Sequence, residues 1–192
     1  MGQRCSGSRR RGSWTYRLEE VLKGGFSLEV SGRTGSGRRL FVLSLLPRLL
    51  GEGRTAIYID YSGTFWRLSR SNPGLAERVV FTSPGDPGEV VRILSGSYDL
   101  AVLDSIPRVF SRFGGSYREK WGVTAAILLA GLQMAGRGGG FIAINHSSGG
   151  RSFGENVFAC YFTHRVVLEG EGRAPRAKLI YPFEADLSHA HF

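Results

Sequence analysis

The stretch FSLEVSGRTGSGRRLFVLSLLPRLL, residues 26–50, decides how this chain folds. Strand-forming residues from 26 to 31 lead into a glycine-rich loop, and a mostly apolar helical pattern follows over residues 39–50. Pro47 lies inside that pattern, so we expect it to kink the helix or to end its regular part. Further strand patterns lie at residues 55–60, 79–82, 100–103, 141–145, 163–169 and 177–183.

Helical and polar segments separate these strand patterns. The longest helical pattern covers residues 121–135, and a shorter one covers residues 65–70. A turn is expected at residues 72–74, where Asn, Pro and Gly follow one another. Residues 105–116 and 147–155 are polar and contain glycine, so both segments are predicted to be loops.

The alternation of strands with helices indicates the fold class. It favours an α/β fold with a mostly parallel central sheet that is flanked by helices on both faces. Ligands bind such sheets beyond the carboxyl ends of the strands. Asp60, Asp104 and Asn145 all follow or end strand patterns, so we expect functional groups at these positions.

The glycine-rich loop keeps part of a phosphate-binding pattern. Such a loop reads G-x-x-x-x-G-K-[ST], and the last two positions are arginines here. The first arginine could still bind phosphate, whereas the second has no oxygen to ligate a cation and could instead place positive charge near where the metal would sit. The expected phosphate-binding residues are Gly32, Thr34, Gly35, Ser36, Gly37, Arg38 and Arg39.

The length and composition are those of an ordinary globular protein, with 192 residues of which 42% are hydrophobic and 21% charged. We expect a flexible basic arm at residues 1–13 and a single core domain at residues 14–192. Cys5 and Cys160 are too few and too distant for a disulfide framework, which indicates a reducing, cytoplasmic compartment. No run of about 18 apolar residues occurs, so no membrane segment is expected.

The chain is strongly basic, with a formal net charge of +9 and an isoelectric point of about 10.1. This excess of positive charge favours an anionic partner such as nucleic acid. The alternative is a solvated basic surface that reflects biased use of arginine, since lysine occurs only at Lys23, Lys120 and Lys178.

Four stretches in chain order resemble the ATPase core of the RecA/RadA recombinases, particularly the small archaeal RadA paralogs of the RadB type. They are SGRTGSGRR in the Walker A place, TAIYIDYSGTF in the second core strand, YDLAVLDS in the Walker B strand, and FIAINH before the second DNA-binding loop. The resemblance extends from Leu18 to Asp186 and implies a RecA-like P-loop core. Related ATPases of the KaiC or DnaB kind are a lesser alternative for the family.

The sequence departs from this family at the positions that carry catalysis. Ser62 stands where the family has the glutamate that activates water, and a serine hydroxyl is not a base near neutral pH. Asp104 keeps the Walker B place, while His146 replaces the glutamine that senses the γ-phosphate. His146 could still bind a phosphate, or it could be a histidine at a strand end without a partner. We therefore expect ATP to bind weakly or without Mg²⁺, with poor or absent hydrolysis.

The resemblance implies DNA contact by two loops. The first follows the Walker B strand and carries Arg108, Arg112, Tyr117 and Arg118. The second loop supplies glycines for close backbone approach, an arginine for charge, and a phenylalanine that could stack on a base. Its residues are Gly149, Gly150, Arg151 and Phe153. The alternative for the second loop is an ordinary flexible surface loop.

The leading prediction is an accessory subunit in DNA repair and homologous recombination. Its expected partners are DNA, bound single-stranded and without sequence preference, and a RadA-type recombinase or another RadA paralog. Trp14, Tyr16 and Leu18 would form a docking strand or would cover the core. The alternatives are a weak DNA-dependent ATPase completed by a partner subunit and a non-catalytic scaffold of the same fold.

Overall fold

A computed structural model describes residues 15–63, 73–170 and 176–187 of the chain. The strands are β1 Thr15–Tyr16, β2 Phe26–Gly32, β3 Ala56–Asp60, β4 Val79–Thr82, β5 Leu100–Asp104, β6 Gly140–Ile144, β7 Ser147–Ser148, β8 Arg151–Ser152, β9 His164–Glu169, β10 Arg176–Tyr181 and β11 Ala185–Leu187. The helices are α1 Leu18–Val21, α2 Arg38–Leu49, α3 Pro73–Ala76, α4 Pro87–Leu94, α5 Ile106–Arg112, α6 Tyr117–Gly136 and α7 Glu155–Phe158, followed by a 3₁₀ turn at Ala159–Tyr161.

Nine of these strands form one sheet in the order β1-β11-β10-β9-β2-β6-β5-β3-β4. All neighbours from β9 to β4 run parallel, whereas β10 is antiparallel to both β9 and β11. The short β1 pairs in parallel with β11 at one edge. These pairings confirm the predicted mostly parallel sheet. Strands β7 and β8 form a separate hairpin.

Side chains of the central strands point alternately to two apolar cores, one on each face of the sheet. In β3, Tyr58 packs in the core that contains α2, while Ile57 and Ile59 pack in the core that contains α4, α5 and α6. Because period-two alternation places successive side chains on opposite faces, each face needs its own layer of helices. The predicted arrangement with helices on both faces is therefore confirmed.

Helix α5 contradicts the prediction that residues 105–116 form a loop. Ile106 and Val109 are fully buried and Phe113 is nearly so, which is the spacing of one helical face. Ser105 stands at the N-cap and Pro107 lies in the first turn, where its missing N–H costs no hydrogen bond. The surrounding serines, arginines and glycines gave the segment a polar composition, so the short apolar stripe was not recognised in the sequence.

Helix α6 begins at Tyr117, four residues before its predicted start. Ser116 Oγ accepts the backbone N–H of Glu119 at 3.3 Å, and Glu119 Oε2 accepts that of Ser116 at 2.6 Å. This reciprocal capping box satisfies two N–H groups that a helix end leaves free. The hydrogen bond from the Ser116 backbone N–H, followed by one from the Ser116 side chain, lowers the pKa of the Glu119 carboxyl group.

Three smaller predictions also differ from the structure. Helix α2 continues through Pro47 to Leu49, so the proline lies in its last turn. Pro73 begins the short helix α3, where a turn was expected. The segment expected to be a flexible loop after residue 146 contains the hairpin β7–β8, and Gly149 and Gly150 form its turn with φ of 59° and 81°.

The ends of the chain are described in part. Leu18 is 5% exposed and belongs to the core beneath α2, whereas Tyr16 is 39% exposed on β1. The predicted arm at residues 1–13, Trp14 and the helix predicted at residues 65–70 lie outside the described residues. Among the described segments, no helix combines the length and the apolar character that crossing a bilayer requires.

Candidate functional site

The polar groups predicted at strand ends meet at one edge of the sheet. Strands β2, β6, β5 and β3 are parallel neighbours, so their carboxyl ends lie side by side. Asp60 ends β3, Asp104 ends β5, and Asn145 follows β6. The loop after β2 and the start of α2 lie at the same edge, because Arg38 and Arg39 contact Asn145 and Asp104.

Two glycines are required by the conformation of the loop. Gly37 occupies the N-cap of α2 with a φ of 77°, in the left-handed region where other residues are strained. A Cβ atom at Gly32 would lie 2.4 Å from Ser36 Oγ, so a side chain there would displace Ser36. The Ser36 hydroxyl is fully buried and has no hydrogen-bond partner in the described part of the structure.

Arg39 forms a two-pronged ion pair with Asp104. Its Nε donates to Oδ2 at 2.5 Å, and its Nη2 donates to Oδ1 at 3.0 Å. The Asp104 side chain is fully buried, whereas the Arg39 side chain is 34% exposed. The hydrogen bond to Asp104 raises the pKa of the Arg39 guanidinium despite its partial burial. Such fork-like pairing fixes both groups in direction as well as in distance.

Two hydroxyl groups complete the environment of Asp104. Tyr58 Oη donates to Asp104 Oδ2 at 3.0 Å, and burial raises the pKa of Tyr58 well above its ordinary value. Ser62 Oγ lies 3.2 Å from the same oxygen and 2.6 Å from Asp60 Oδ1. Ser62 therefore bridges the two aspartates, and both Asp104 oxygens have hydrogen-bond donors.

The donor set at this edge does not fit Mg²⁺. A magnesium ion takes oxygen ligands in a near-octahedral arrangement. The side chain of residue 39 offers no oxygen, and the guanidinium of that residue occupies both oxygens of Asp104. Within residues 15–63, 73–170 and 176–187, no three His, Cys, Asp or Glu side chains group as a metal site. The guanidinium cation of Arg39 thus lies against the Asp104 carboxylate.

Arg38 is turned toward the end of strand β6. Its Nη1 donates to the backbone oxygen of Asn145. Burial, followed by repulsion from Arg39, lowers the pKa of Arg38, while attraction to Asp104 opposes the change. Asp104 attracts both arginines and Asp60 also attracts Arg39, so the formal charges of these four groups cancel. Any anion bound here would depend on the remaining Arg38 donors and on backbone N–H groups of the loop.

An open cavity of about 250 Å³ lies over the start of α2, below the range of about 300–1,000 Å³ typical of small-molecule sites. Its size suits the phosphate-bearing part of a ligand better than a whole nucleotide. Of the predicted phosphate-binding residues, four line the cavity, while Gly32 and Ser36 lie buried beneath the loop. Thr34 and His146 are not among its described lining residues, which are Gly35, Gly37, Arg38, Arg39, Leu40, Ser105 and Ile144.

A buried ionic network beside the site was not predicted from the sequence. Asn145 Nδ2 donates to Glu29 Oε1 at 2.6 Å and to the backbone oxygen of Phe153 at 2.9 Å. Arg165 Nε donates to the other oxygen of Glu29 at 2.6 Å, and Arg165 Nη2 reaches Glu155 at 3.0 Å. The network ties β2, β6 and β9 to the exit of the hairpin. Its signal in the sequence was a glutamate between Leu28 and Val30 in a predicted strand.

The two predicted DNA-contacting loops lie next to each other. Five rings join them into what we call the aromatic cluster, namely Phe110, Tyr117, Trp121, Phe153 and Phe158. The Phe110 ring on α5 lies 5.3 Å from the Phe153 ring beyond the hairpin. The predicted arginines are all exposed: Arg108 and Arg112 lie on α5, Arg118 lies on α6, and Arg151 lies on β8, two residues before Phe153.

Phe153 is packed inside this cluster. Its ring stacks on Trp121 at 5.8 Å with an interplanar angle of 9°, and it is only partly exposed. Tyr117, which the sequence placed in the first predicted loop, carries the more exposed ring, with 70% of its surface in solvent. Gly149 and Gly150 are exposed at the turn of the hairpin. Arg112 also lies over the Tyr61 ring, 5.2 Å from its centre.

Comparison with known proteins identifies the fold. No protein-family model matches the chain, and the curated proteins gave no match either. Among solved structures the chain is similar to a KaiC-like protein from the hyperthermophilic archaeon Pyrococcus horikoshii, with a TM-score of 0.62 and 14% identity over 88% of this chain and 82% of that chain. At this identity the likeness concerns the fold alone, and the predicted RecA-like fold is confirmed.

Proposed function

We propose that the protein is a RecA-fold accessory subunit in DNA repair and homologous recombination, without ATP hydrolysis. It would bind single-stranded DNA non-specifically and would dock on a RadA-type recombinase or another RadA paralog. The observation that carries the proposal is the pair of Arg39 and Asp104. An arginine paired with the aspartate in the Walker B place would leave the fold intact and would keep that carboxylate from holding the metal ion on which phosphoryl transfer depends.

The residues around this pair also argue against turnover. Ser62 stands in the place of the water-activating glutamate, and its hydroxyl is hydrogen-bonded to Asp60. Removal of one contact that stabilises transition-state charge commonly slows a reaction by about 10²- to 10³-fold, and several such contacts are altered here. ATP, where it binds, would be held weakly or without Mg²⁺ by Arg38 and the loop backbone.

The basic surface around the aromatic cluster supports the DNA-binding part of the proposal. Four exposed arginines lie on α5, α6 and β8, and the whole chain carries a net charge of +9. Arginines that neutralise phosphates release counterions, so binding of this kind weakens steeply as salt rises. Aromatic rings among the arginines add contacts to unpaired bases.

A salt titration with fluorescent oligo(dT) tests the proposal. The full chain should bind, and the logarithm of its association constant should fall linearly with the logarithm of the salt concentration. Binding that is undetectable, or that does not change with salt, would reject DNA binding and would leave a scaffold of the same fold. Co-purification with a RadA-type recombinase tests the partner separately.

A second candidate is a weak DNA-dependent ATPase completed by a partner subunit. The cavity at the start of α2 favours it, because the cavity is open and has Arg38 on its wall. Phosphate release by the complex, measured for the wild type and for Asp104→Ala, separates the candidates. A rate that falls in the variant supports the ATPase, whereas equal background rates reject it.

A further inference from the structure

Tyr117 is the most exposed large hydrophobic side chain in the described part of the chain, at 70%. It occupies the first position of α6, directly after the N-cap Ser116. Its ring meets two partners near a right angle, Phe110 at 5.5 Å and 78° and Trp121 at 5.8 Å and 74°. These contacts orient the ring while leaving most of its surface in solvent.

The support beneath Tyr117 is well packed. Trp121 stacks on Phe153 and lies 4.8 Å from Phe158, which is buried. The capping box at Ser116 and Glu119 fixes the backbone on which Tyr117 stands. An aromatic side chain held in this way loses little conformational entropy when a flat ligand stacks on it.

The charge of the surroundings fits an anionic chain. Arg118 follows Tyr117 directly, and the exposed Arg108, Arg112 and Arg151 lie on the elements that contribute Phe110 and the hairpin. The neighbouring acids already have partners. Glu119 accepts the backbone N–H of Ser116 at 2.6 Å, and Glu155 is paired with Arg165 at 3.0 Å.

We propose that Tyr117 is the base-stacking residue of this surface and that it selects single-stranded over double-stranded nucleic acid. The faces of bases in a duplex are covered by their neighbours, so only an unpaired base offers its face to the ring. The inference rests on the proposed DNA-binding function and names its contact residue and strand form. It assigns to Tyr117 the stacking that the sequence alone suggested for Phe153.

The test compares two oligonucleotides of equal length, oligo(dT) and its abasic counterpart, by fluorescence anisotropy with the full chain. The wild type should prefer oligo(dT). Tyr117→Ala should weaken binding to oligo(dT) by about 5- to 150-fold, since stacking contributes about 1–3 kcal/mol per base, and should not change binding to the abasic strand. Tyr117→Phe should behave as the wild type. Tyr181→Ala, which removes a half-exposed tyrosine on β10, is the matched control.

The outcomes separate this inference from the function on which it rests. Unchanged oligo(dT) binding by Tyr117→Ala would overturn the stacking role and leave DNA binding intact. An equal loss on both oligonucleotides would also overturn it, because the effect would then be one of charge or structure. Absence of binding to either strand by the wild type would reject both proposals together.

Discussion

The guanidinium of Arg39 lies against both carboxylate oxygens of Asp104, at 2.5 Å and 3.0 Å. Arg39 is the last position of the glycine-rich phosphate-loop pattern and Asp104 ends β5, so their pairing directly connects the two segments that the sequence singled out. Tyr58 and Ser62 add hydroxyl donors to the same carboxylate. The pair therefore joins α2 directly to β5.

The first prediction concerns the stability that this pair provides. Arg39→Ala leaves the fully buried Asp104 without its cation and should lower the free energy of unfolding by about 2–4 kcal/mol, below the full cost for a buried pair because Arg39 is partly exposed. Urea unfolding monitored by circular dichroism measures the change. Arg54→Ala removes an exposed arginine before β3 and should change stability by less than about 0.5 kcal/mol. Equal stability of the two variants would contradict the structural role of the pair.

The second prediction separates two tyrosines at the site. Tyr58→Phe deletes a hydrogen bond to a carboxylate and should cost about 1.5–3 kcal/mol of unfolding free energy. Tyr61 has a buried hydroxyl with no hydrogen-bond partner among the described residues, so Tyr61→Phe should be neutral or stabilising, by up to about 1 kcal/mol. Urea unfolding of both variants at neutral pH provides the comparison. A larger loss of unfolding free energy in Tyr61→Phe than in Tyr58→Phe would contradict these two hydrogen-bonding roles.

The third prediction is a dependence on alkaline pH. Burial raises the pKa of Tyr61 from 10.0 to about 12, so the folded protein holds this proton more tightly than the unfolded chain does. The resulting stability is fully present below pH 10.0 and is lost as the pH rises through about 12. Between these values the wild type should lose stability more steeply than Tyr61→Phe. Parallel curves for the two proteins would show that Tyr61 does not contribute.

The same residues show which parts of the site could be predicted from the sequence. Gly32, Gly37 and Asp104 indicated the site because their spacing in loop and strand follows local rules. The pairing of Arg39 with Asp104 could not be predicted, since it depends on how the start of α2 faces the end of β5. The residue type of Arg39 implied only a positive charge near the place of a metal ion.

Tertiary contacts account for most of the remaining differences. Phe153 has the residue type of a base-stacking group, and its partial burial against Trp121 could not be predicted because the start of that helix was also misplaced. Strands β1 and β11 are two and three residues long, which is too short for a period-two pattern to show. The bridge between Glu29 and Arg165 joins residues far apart in sequence, and only the neighbouring strands β2 and β9 bring them together.

The fourth prediction concerns the basic surface around the aromatic cluster. Arg118→Ala and Arg151→Ala should each weaken oligo(dT) binding and reduce the magnitude of the salt slope by about 0.7 for every phosphate that the variant no longer neutralises. Arg54→Ala, which removes the same charge just before the start of β3, should leave the slope unchanged. Equal effects of all three variants would indicate attraction by net charge alone.

A fifth prediction, for the loop itself, compares titrations of fluorescent ATP in excess Mg²⁺ and in excess EDTA. Arg38→Ala should weaken binding by about tenfold or more, because it removes a charged donor. Arg39→Ser frees Asp104 and supplies a hydroxyl, so binding by this variant should depend on Mg²⁺. The wild type should give the same weak isotherm in both buffers, since Arg39 holds the place of the cation. Tighter ATP binding by the wild type in Mg²⁺ than in EDTA would contradict the role of Arg39 as a substitute for the cation.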